Sequence, residues 1–155
     1  MDQPVEPPNG MYPARVDDKG RLKLPVVFQE FFAALPEKKL FVTSLDRRIG
    51  HIYPIQAWRQ SQKFFQEFRE NPKVARNVAF NAADLGADSE VDGQGRILLP
   101  PELRRTLGIE NQSVKLCAYN GHVEIYSEAV YERRRAEAAV TPEEDLDVLQ
   151  RAGLQ

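Results

Sequence analysis

The chain repeats itself, and that fact limits its possible folds more than any other. Val16-Asp17-Asp18-Lys19-Gly20-Arg21-Leu22-Lys23-Leu24-Pro25 returns 75 residues later as Val91-Asp92-Gly93-Gln94-Gly95-Arg96-Ile97-Leu98-Leu99-Pro100, with six of the ten positions identical. Further along, Ile52-Tyr53 followed by Trp58 returns as Ile125-Tyr126 followed by Tyr131, at an offset of 73. An offset that drifts by only two residues means two whole units of one internal layout. No Gly/Ser-rich linker separates them, so the units are expected to be fused side by side in one pseudo-symmetric domain.

Each unit reads the same way. Asp-x-x-Gly is a turn signal, and Arg21 to Leu24 alternates polar and apolar as a half-buried strand does. Pro25, and Pro100 with Pro101, end the strands and suit the first turn of a helix. Phe28, Phe31, Phe32 and Leu35 then fall at helical spacing, as do Leu103 and Leu107 before a Gly108 stop. Leu40 to Leu45 and Val114 to Tyr119 are rich in strand formers. Arg48-Ile49-Gly50 and Asn120-Gly121 are the expected hairpin turns. The unit is strand, tight turn, strand, short helix, hairpin, helix. Between the copies, residues 56–83 read as helix broken near Asn71-Pro72, with Trp58, Phe65 and Phe68 on one stripe that Val74 and Val78 continue. That stripe opposes Arg59, Lys63, Glu67 and Glu70, so it is assigned to core packing rather than to base stacking.

The 155 residues carry a net charge of −2, which by itself argues against a polyanionic partner. The average conceals a segregation. Residues 1–10 hold −2 and residues 136–155 hold −4, so residues 11–135 hold +4. An apolar content of 42% and a charged content of 28% exclude disordered and collagen-like classes. No apolar run approaches a membrane span. The N-terminal Met-Asp-Gln-Pro-Val-Glu-Pro-Pro lacks signal-peptide features, and a lone Cys117 fits a reducing compartment. A cytoplasmic location is expected.

The chemistry-bearing candidate is Asp-x-x-x-Arg, at Asp17–Arg21 and Asp92–Arg96. Asp can accept hydrogen bonds from the turn amides, Gly supplies a positive φ, and the guanidinium offers a planar fork to phosphate or guanine. Arg15, Lys19 and Lys23 surround Arg21, and Arg104 and Arg105 follow Arg96 on the next helix. An Asp–Arg pair that merely closes its turn explains the spacing as well, and spacing alone leaves both readings open.

The segment Val91 to Ile109 resembles the swapped-hairpin DNA-binding module of the AbrB superfamily. Two such units, with Asp-x-Lys-Gly-Arg in the first, resemble the MraZ family of bacterial transcriptional regulators over roughly Gly10 to Tyr131. The resemblance implies an α+β fold: a pseudo-twofold double-split β-barrel of two AbrB-like repeats with flanking helices. The expected divisions are an N-terminal extension (1–9), a first repeat (10–58), connecting helices (59–86), a second repeat (87–135) and an acidic C-terminal tail (136–155). It also implies a ring-like homo-oligomer, associated with the nucleoid, that binds double-stranded promoter DNA at direct repeats and represses a division and cell-wall gene cluster. Asp17, Arg21, Asp92 and Arg96 are then the DNA-facing residues. Arg15, Lys19 and Lys23 are expected to support Arg21, and Arg104 and Arg105 to support Arg96. Gln29 and Glu30 replace that last pair in the first unit, so the halves are expected to contribute unequally.

Two other classes compete. An AbrB-like antitoxin or protein-interaction module would use the acidic tail, where Leu146, Val148 and Leu149 interrupt the charge. An enzyme or metal protein would use His51, His122 and Cys117. Neither repeat carries a paired ligand set, and histidines after turns usually face solvent, so no catalytic site, metal or cofactor is expected, and no membrane partner.

Overall fold

Each Asp-x-x-Gly segment reverses the chain between two short strands, and the second strand of each pair lies beside its counterpart from the other repeat. The computed structural model describes residues 5–155; residues 1–4 of the expected N-terminal extension lie outside the described residues. Through the first repeat and into the connecting helices the chain runs β1 (Met11–Val16), β2 (Arg21–Lys23), α1 (Val26–Ala33), β3 (Leu40–Ser44), β4 (Gly50–Pro54) and α2 (Ile55–Glu67). Helix α3 (Pro72–Leu85) leads into the second: β5 (Ala87–Ser89), β6 (Arg96–Leu98), α4 (Pro101–Leu107), β7 (Ser113–Tyr119), β8 (His122–Ser127) and α5 (Glu128–Ala138). Helix α6 (Pro142–Arg151) follows.

The eight strands form one antiparallel sheet in the order β5-β3-β4-β8-β7-β1-β2-β6, curled into a nearly closed barrel. Its two ends meet where the Ser89 hydroxyl donates to the Leu98 carbonyl at 3.3 Å. The sheet is woven from both repeats. β1 pairs with β7 of the second hairpin, and β5 pairs with β3 of the first. β2 pairs with β6, with Leu22 opposite Ile97, two positions that are equivalent under the repeat. A pseudo-twofold axis therefore passes between Leu22 and Ile97. It leaves through the β4–β8 pair, where His51 faces Glu124.

The strand alternation seen in the sequence fills this barrel. Leu22, Leu24, Ile97, Leu99, Val114, Leu116, Val123 and Ile125 are all essentially inaccessible, capped by Phe28 and Leu103 from the two short helices. A one-residue slip in any strand would turn these side chains to solvent, so their burial fixes the register. A second, smaller core lies outside the first hairpin. There Trp58 stacks on Phe41 with centroids 4.6 Å apart and packs beside Tyr53 at 5.1 Å.

Local expectations were met unevenly. The break at Asn71-Pro72 is real: Asn71 caps α3 and Pro72 opens it. The buried stripe of α3 is Ala75, Ala82 and Leu85, however, with Val74 half exposed. At Ala82 the helix lies close enough to β3 for its carbonyl to accept the Thr43 hydroxyl at 2.7 Å. Asn120-Gly121 forms a two-residue turn with both φ values positive (50° and 81°), the geometry that matches strand twist. The first hairpin instead uses a five-residue loop, and Gly50 belongs to β4, opposite Ser44. Asp46 ties that loop by accepting the amides of Arg48 and Ile49, each at 2.9 Å. The C-terminal residues are helical in α6, whose side chains are all exposed. None of the described helices is long and apolar enough to cross a membrane.

The turn glycines are tightly enclosed. A Cβ on Gly20 would stand 2.1 Å from Nη1 of Arg104, and one on Gly95 would stand 2.3 Å from the Gln29 amide. Each turn is thus covered by a planar polar group from the other repeat's helix. Positive φ (80° and 75°) adds its own cost for any larger residue. Gly20→Ala is expected to destabilise the protein by about 1–3 kcal/mol, measured by urea unfolding. Gly93→Ala, where nothing lies within 4 Å of the new carbon, is expected to be neutral or slightly stabilising.

Candidate nucleic-acid interface

The two Asp-x-x-x-Arg turns are built alike. Oδ1 of Asp17 accepts the amides of Lys19 (2.9 Å) and Arg21 (2.8 Å), and Oδ2 accepts Nε–H of Arg21 at 2.8 Å. In the second repeat Asp92 accepts from Gln94 (2.8 Å), Arg96 (2.9 Å) and Nε of Arg96 (3.0 Å). Backbone bonds close both loops, from Asp17 N–H to the Arg21 carbonyl at 2.9 Å and from Asp92 N–H to the Arg96 carbonyl at 2.8 Å. The carboxylate orients the guanidinium through Nε alone. Among the described residues neither Nη of Arg21 or Arg96 has a partner, so each keeps its outer donors for a ligand.

These bonds also set the acidity of the aspartates. The Arg21 amide, helped by its guanidinium and the Lys19 amide, holds the Asp17 carboxyl down to about 2 against a smaller opposing effect of desolvation. The Arg96 amide likewise holds Asp92 below its ordinary value, again against desolvation.

Strand pairing then decides which cations meet. Arg15 on β1 lies opposite Lys23 on β2, and Lys23 lies opposite Arg96 on β6. Because Val16, Leu22 and Ile97 point inward, these three cations form one row on the outer face. Arg21 and the exposed Leu98 form the next row of that face. The first row is tethered at its flanks. Arg15 Nη2 donates to the Asn111 carbonyl (2.9 Å) and side-chain oxygen (3.1 Å), and Lys23 Nζ donates to the Gln94 carbonyl. Lys19 stands exposed at the tip of the first turn. Arg21 and Arg96 both line a groove of about 460 Å³ beside β5, with Leu98 and Pro100 as apolar wall and Asp88 and Glu90 at its acidic edge.

This grouping corrects the sequence reading in two ways. Lys23 and Arg15 are expected to serve the Arg21 half only; Lys23 adjoins Arg21 on the same face but also lies opposite Arg96, with Arg15 on its far side. Under the repeat, the counterparts of Arg15, Lys23 and Arg96 are Glu90, Leu98 and Arg21, so the positive row has no equivalent across the axis. The second correction concerns Arg104. Its side chain is only 14% exposed, with Nε on Glu110 at 3.1 Å and Nη1 on the Leu99 carbonyl, beneath Gly20. It supports a turn and is not available at the surface. Arg105 is exposed on α4 and paired with Glu102. Leu98 and Asn111 were missed. Leu98 was readable as the repeat counterpart of Lys23; Asn111, 96 residues from Arg15, left no local signal.

Comparison with known proteins points in one direction. A family model described as "MraZ protein, putative antitoxin-like" matches residues 86–148. A protein of Acidobacterium capsulatum named transcriptional regulator MraZ is 37% identical over 106 residues, covering 68% of this chain and 72% of that protein. Proteins of the same name from Thermomicrobium roseum (33% identical, 76% of this chain and 80% of the relative) and Desulfitobacterium hafniense (31%, 88% and 94%) are similar as well.

The Asp17 acidity sets a testable pH dependence. Its folded-state value lies below the ordinary 3.8, so its contribution to stability is complete above about pH 5 and drains as the pH falls toward 2. The difference in urea midpoint between the wild type and Asp17→Asn is expected to shrink over that interval. A constant difference would show that the carboxylate's charge is not what holds the turn.

Proposed function

The chain belongs to the MraZ family, and from that premise we propose that it is a DNA-binding transcriptional regulator whose β2–β6 ribbon is pressed against duplex DNA. The observation that carries this reading is the row Arg15–Lys23–Arg96. Like charges directly opposite on neighbouring strands oppose folding, by roughly 0.2–1 kcal/mol per pair. Among the described residues neither Arg15 nor Lys23 has a carboxylate partner, and a polyanion laid across the row relieves the repulsion.

The ribbon's shape supports the same reading. The major groove admits a two-stranded antiparallel ribbon, and the local pseudo-dyad of a ribbon can coincide with that of a duplex. The unused Nη donors of Arg21 and Arg96 suit guanine edges or phosphates. Lys19, Lys23 and Arg15 suit phosphates, with Asp17 and Asp92 holding the two arginines in place. Arg105 could add a flanking phosphate contact, and Arg104 acts from beneath the first turn.

A handful of phosphate contacts gives weak, salt-sensitive affinity. Direct repeats bound by a closed ring of subunits would raise it, because binding at one subunit concentrates the next ribbon at the next repeat. The exposed apolar residues Leu146, Val148 and Leu149 of α6 are available surface for contact between subunits. Repression of a division and cell-wall gene cluster through such repeats follows from the family resemblance.

Arg21→Ala and Arg96→Ala are each expected to weaken binding to repeat-containing upstream DNA by roughly 5- to 150-fold. Each should also lower the slope of log affinity against log salt by about 1 for every phosphate that the variant no longer neutralises, with the unfolding midpoint little changed. Arg104→Ala is expected to lower the unfolding midpoint first. Fluorescence anisotropy with one and with several repeats reads all three variants. Unchanged affinity and slope in both Arg21→Ala and Arg96→Ala would remove the ribbon as the DNA-binding surface.

A further inference from the structure

At the opposite end of the pseudo-twofold axis the β4–β8 seam carries a second polar cluster. His51 faces Glu124 across the seam, and these positions are equivalent under the repeat's offset of 73. His122 lies two residues before Glu124, on the same side of β8, with its ring centroid 4.8 Å from that of His51 and nearly perpendicular to it, at 86°. One donor atom each from His51, His122 and Glu124 lies within 4.8 Å of the others, the only such trio among the described residues.

The hydrogen bonding around this trio is incomplete. His51 is 8% exposed, and its Nδ1 is buried with no partner among the described residues. Its Nε2 faces Oε2 of Glu124 at 3.6 Å, long for a hydrogen bond. A separation of 3.6 Å is too long for a direct hydrogen bond and close to the spacing of two ligands that share a cation. The carboxylate, by contrast, is oriented. The Tyr126 hydroxyl donates to Oε1 at 2.7 Å, turning Oε2 toward the imidazoles. This is the outer-shell support that a ligating carboxylate characteristically receives.

Two imidazoles and one carboxylate are the donors preferred by zinc and its first-row neighbours. Ligands at about 2.0–2.1 Å in tetrahedral array stand about 3.4 Å apart. The His51–Glu124 pair is almost at that spacing, and rotation of the half-buried His122 can close the rest. Cys117 lies opposite Glu124 on β7 and falls outside the trio.

We propose that His51, His122 and Glu124 form a binding site for a zinc-class divalent cation that joins the two repeats at the end of the axis away from β2 and β6. Sequence inspection repeat by repeat could not find it, because one repeat supplies a single ligand and the other supplies two. The site stands independently of any role in DNA binding.

The test uses the tag-free full chain, stripped by chelator and titrated with zinc against a chromophoric competitor, and separately with cobalt(II). One equivalent per chain is expected, with the visible bands of low-coordinate cobalt and a thermal midpoint raised by several degrees at saturating zinc. His122→Ala and Glu124→Gln are expected to lose the cobalt bands and the thermal shift while keeping the wild-type circular dichroism. Cys117→Ser is expected to keep both. Because His51 is buried, the half-buried His122 is the ligand to remove, and His122→Ala is the decisive variant. Failure of the wild type to bind, binding that persists in His122→Ala, or binding lost in Cys117→Ser would each overturn the assignment.

Discussion

Everything in this fold depends on the pairing of β2 with β6, two three-residue strands from different repeats that meet at Leu22 and Ile97. A strand of three residues has too few ladder bonds to persist alone. It lasts because both of its neighbours are fixed: the tight turn behind it and the other repeat's turn ahead. The Leu24 amide donates to the Gly95 carbonyl at 3.0 Å, and the Leu99 amide donates to the Gly20 carbonyl at 2.9 Å. Arg104 and Gln29 then lie over the opposite turns. Each turn closes through its own hydrogen bonds but is covered and bonded from the other repeat, so the two copies pack as one unit.

The same pairing concentrates charge on an otherwise acidic chain. β1, β2 and β6 bring Arg15, Lys23 and Arg96 into one row, although they are far apart in sequence. Each arginine's ion pair with its turn aspartate runs through Nε, which leaves the outer nitrogens free as directional donors. Across the axis Glu90 and Leu98 stand where Arg15 and Lys23 would be. The proposed DNA face is therefore polar in the directional sense, strong on one side of the dyad and weaker on the other. A subunit with such a face can tell one end of its site from the other, which suits repeats in a single orientation.

Helix packing breaks the symmetry further. The first hairpin is roofed by α2 and α3 through Trp58, Phe41 and Ala82, while the second is flanked by α5 alone, where Lys115 lies over the Tyr131 ring at 5.4 Å. The axis end between them is left polar and half buried, and it is there that His51, His122 and Glu124 converge. Burial and the nearby His51 together push the pKa of the His122 imidazole below its ordinary value, while the His51 ring beside Glu124 holds that carboxyl down.

The sequence by itself determined the repeat, the strand alternation that fills the barrel, the Asn120-Gly121 hairpin, the proline-opened helices and the two aspartate-tied turns. These are local matters, governed by backbone conformation and periodicity within a few residues. The family was legible for the same reason, since its motif is one contiguous turn and strand. Tertiary structure alone decided that Lys23 meets Arg96 as well as Arg21, that Arg104 packs under Gly20, and that a histidine of one repeat meets a histidine and a glutamate of the other. Those outcomes hang on antiparallel pairing across the axis, which brings together residues 71 to 84 positions apart, a relation that no window along the chain contains.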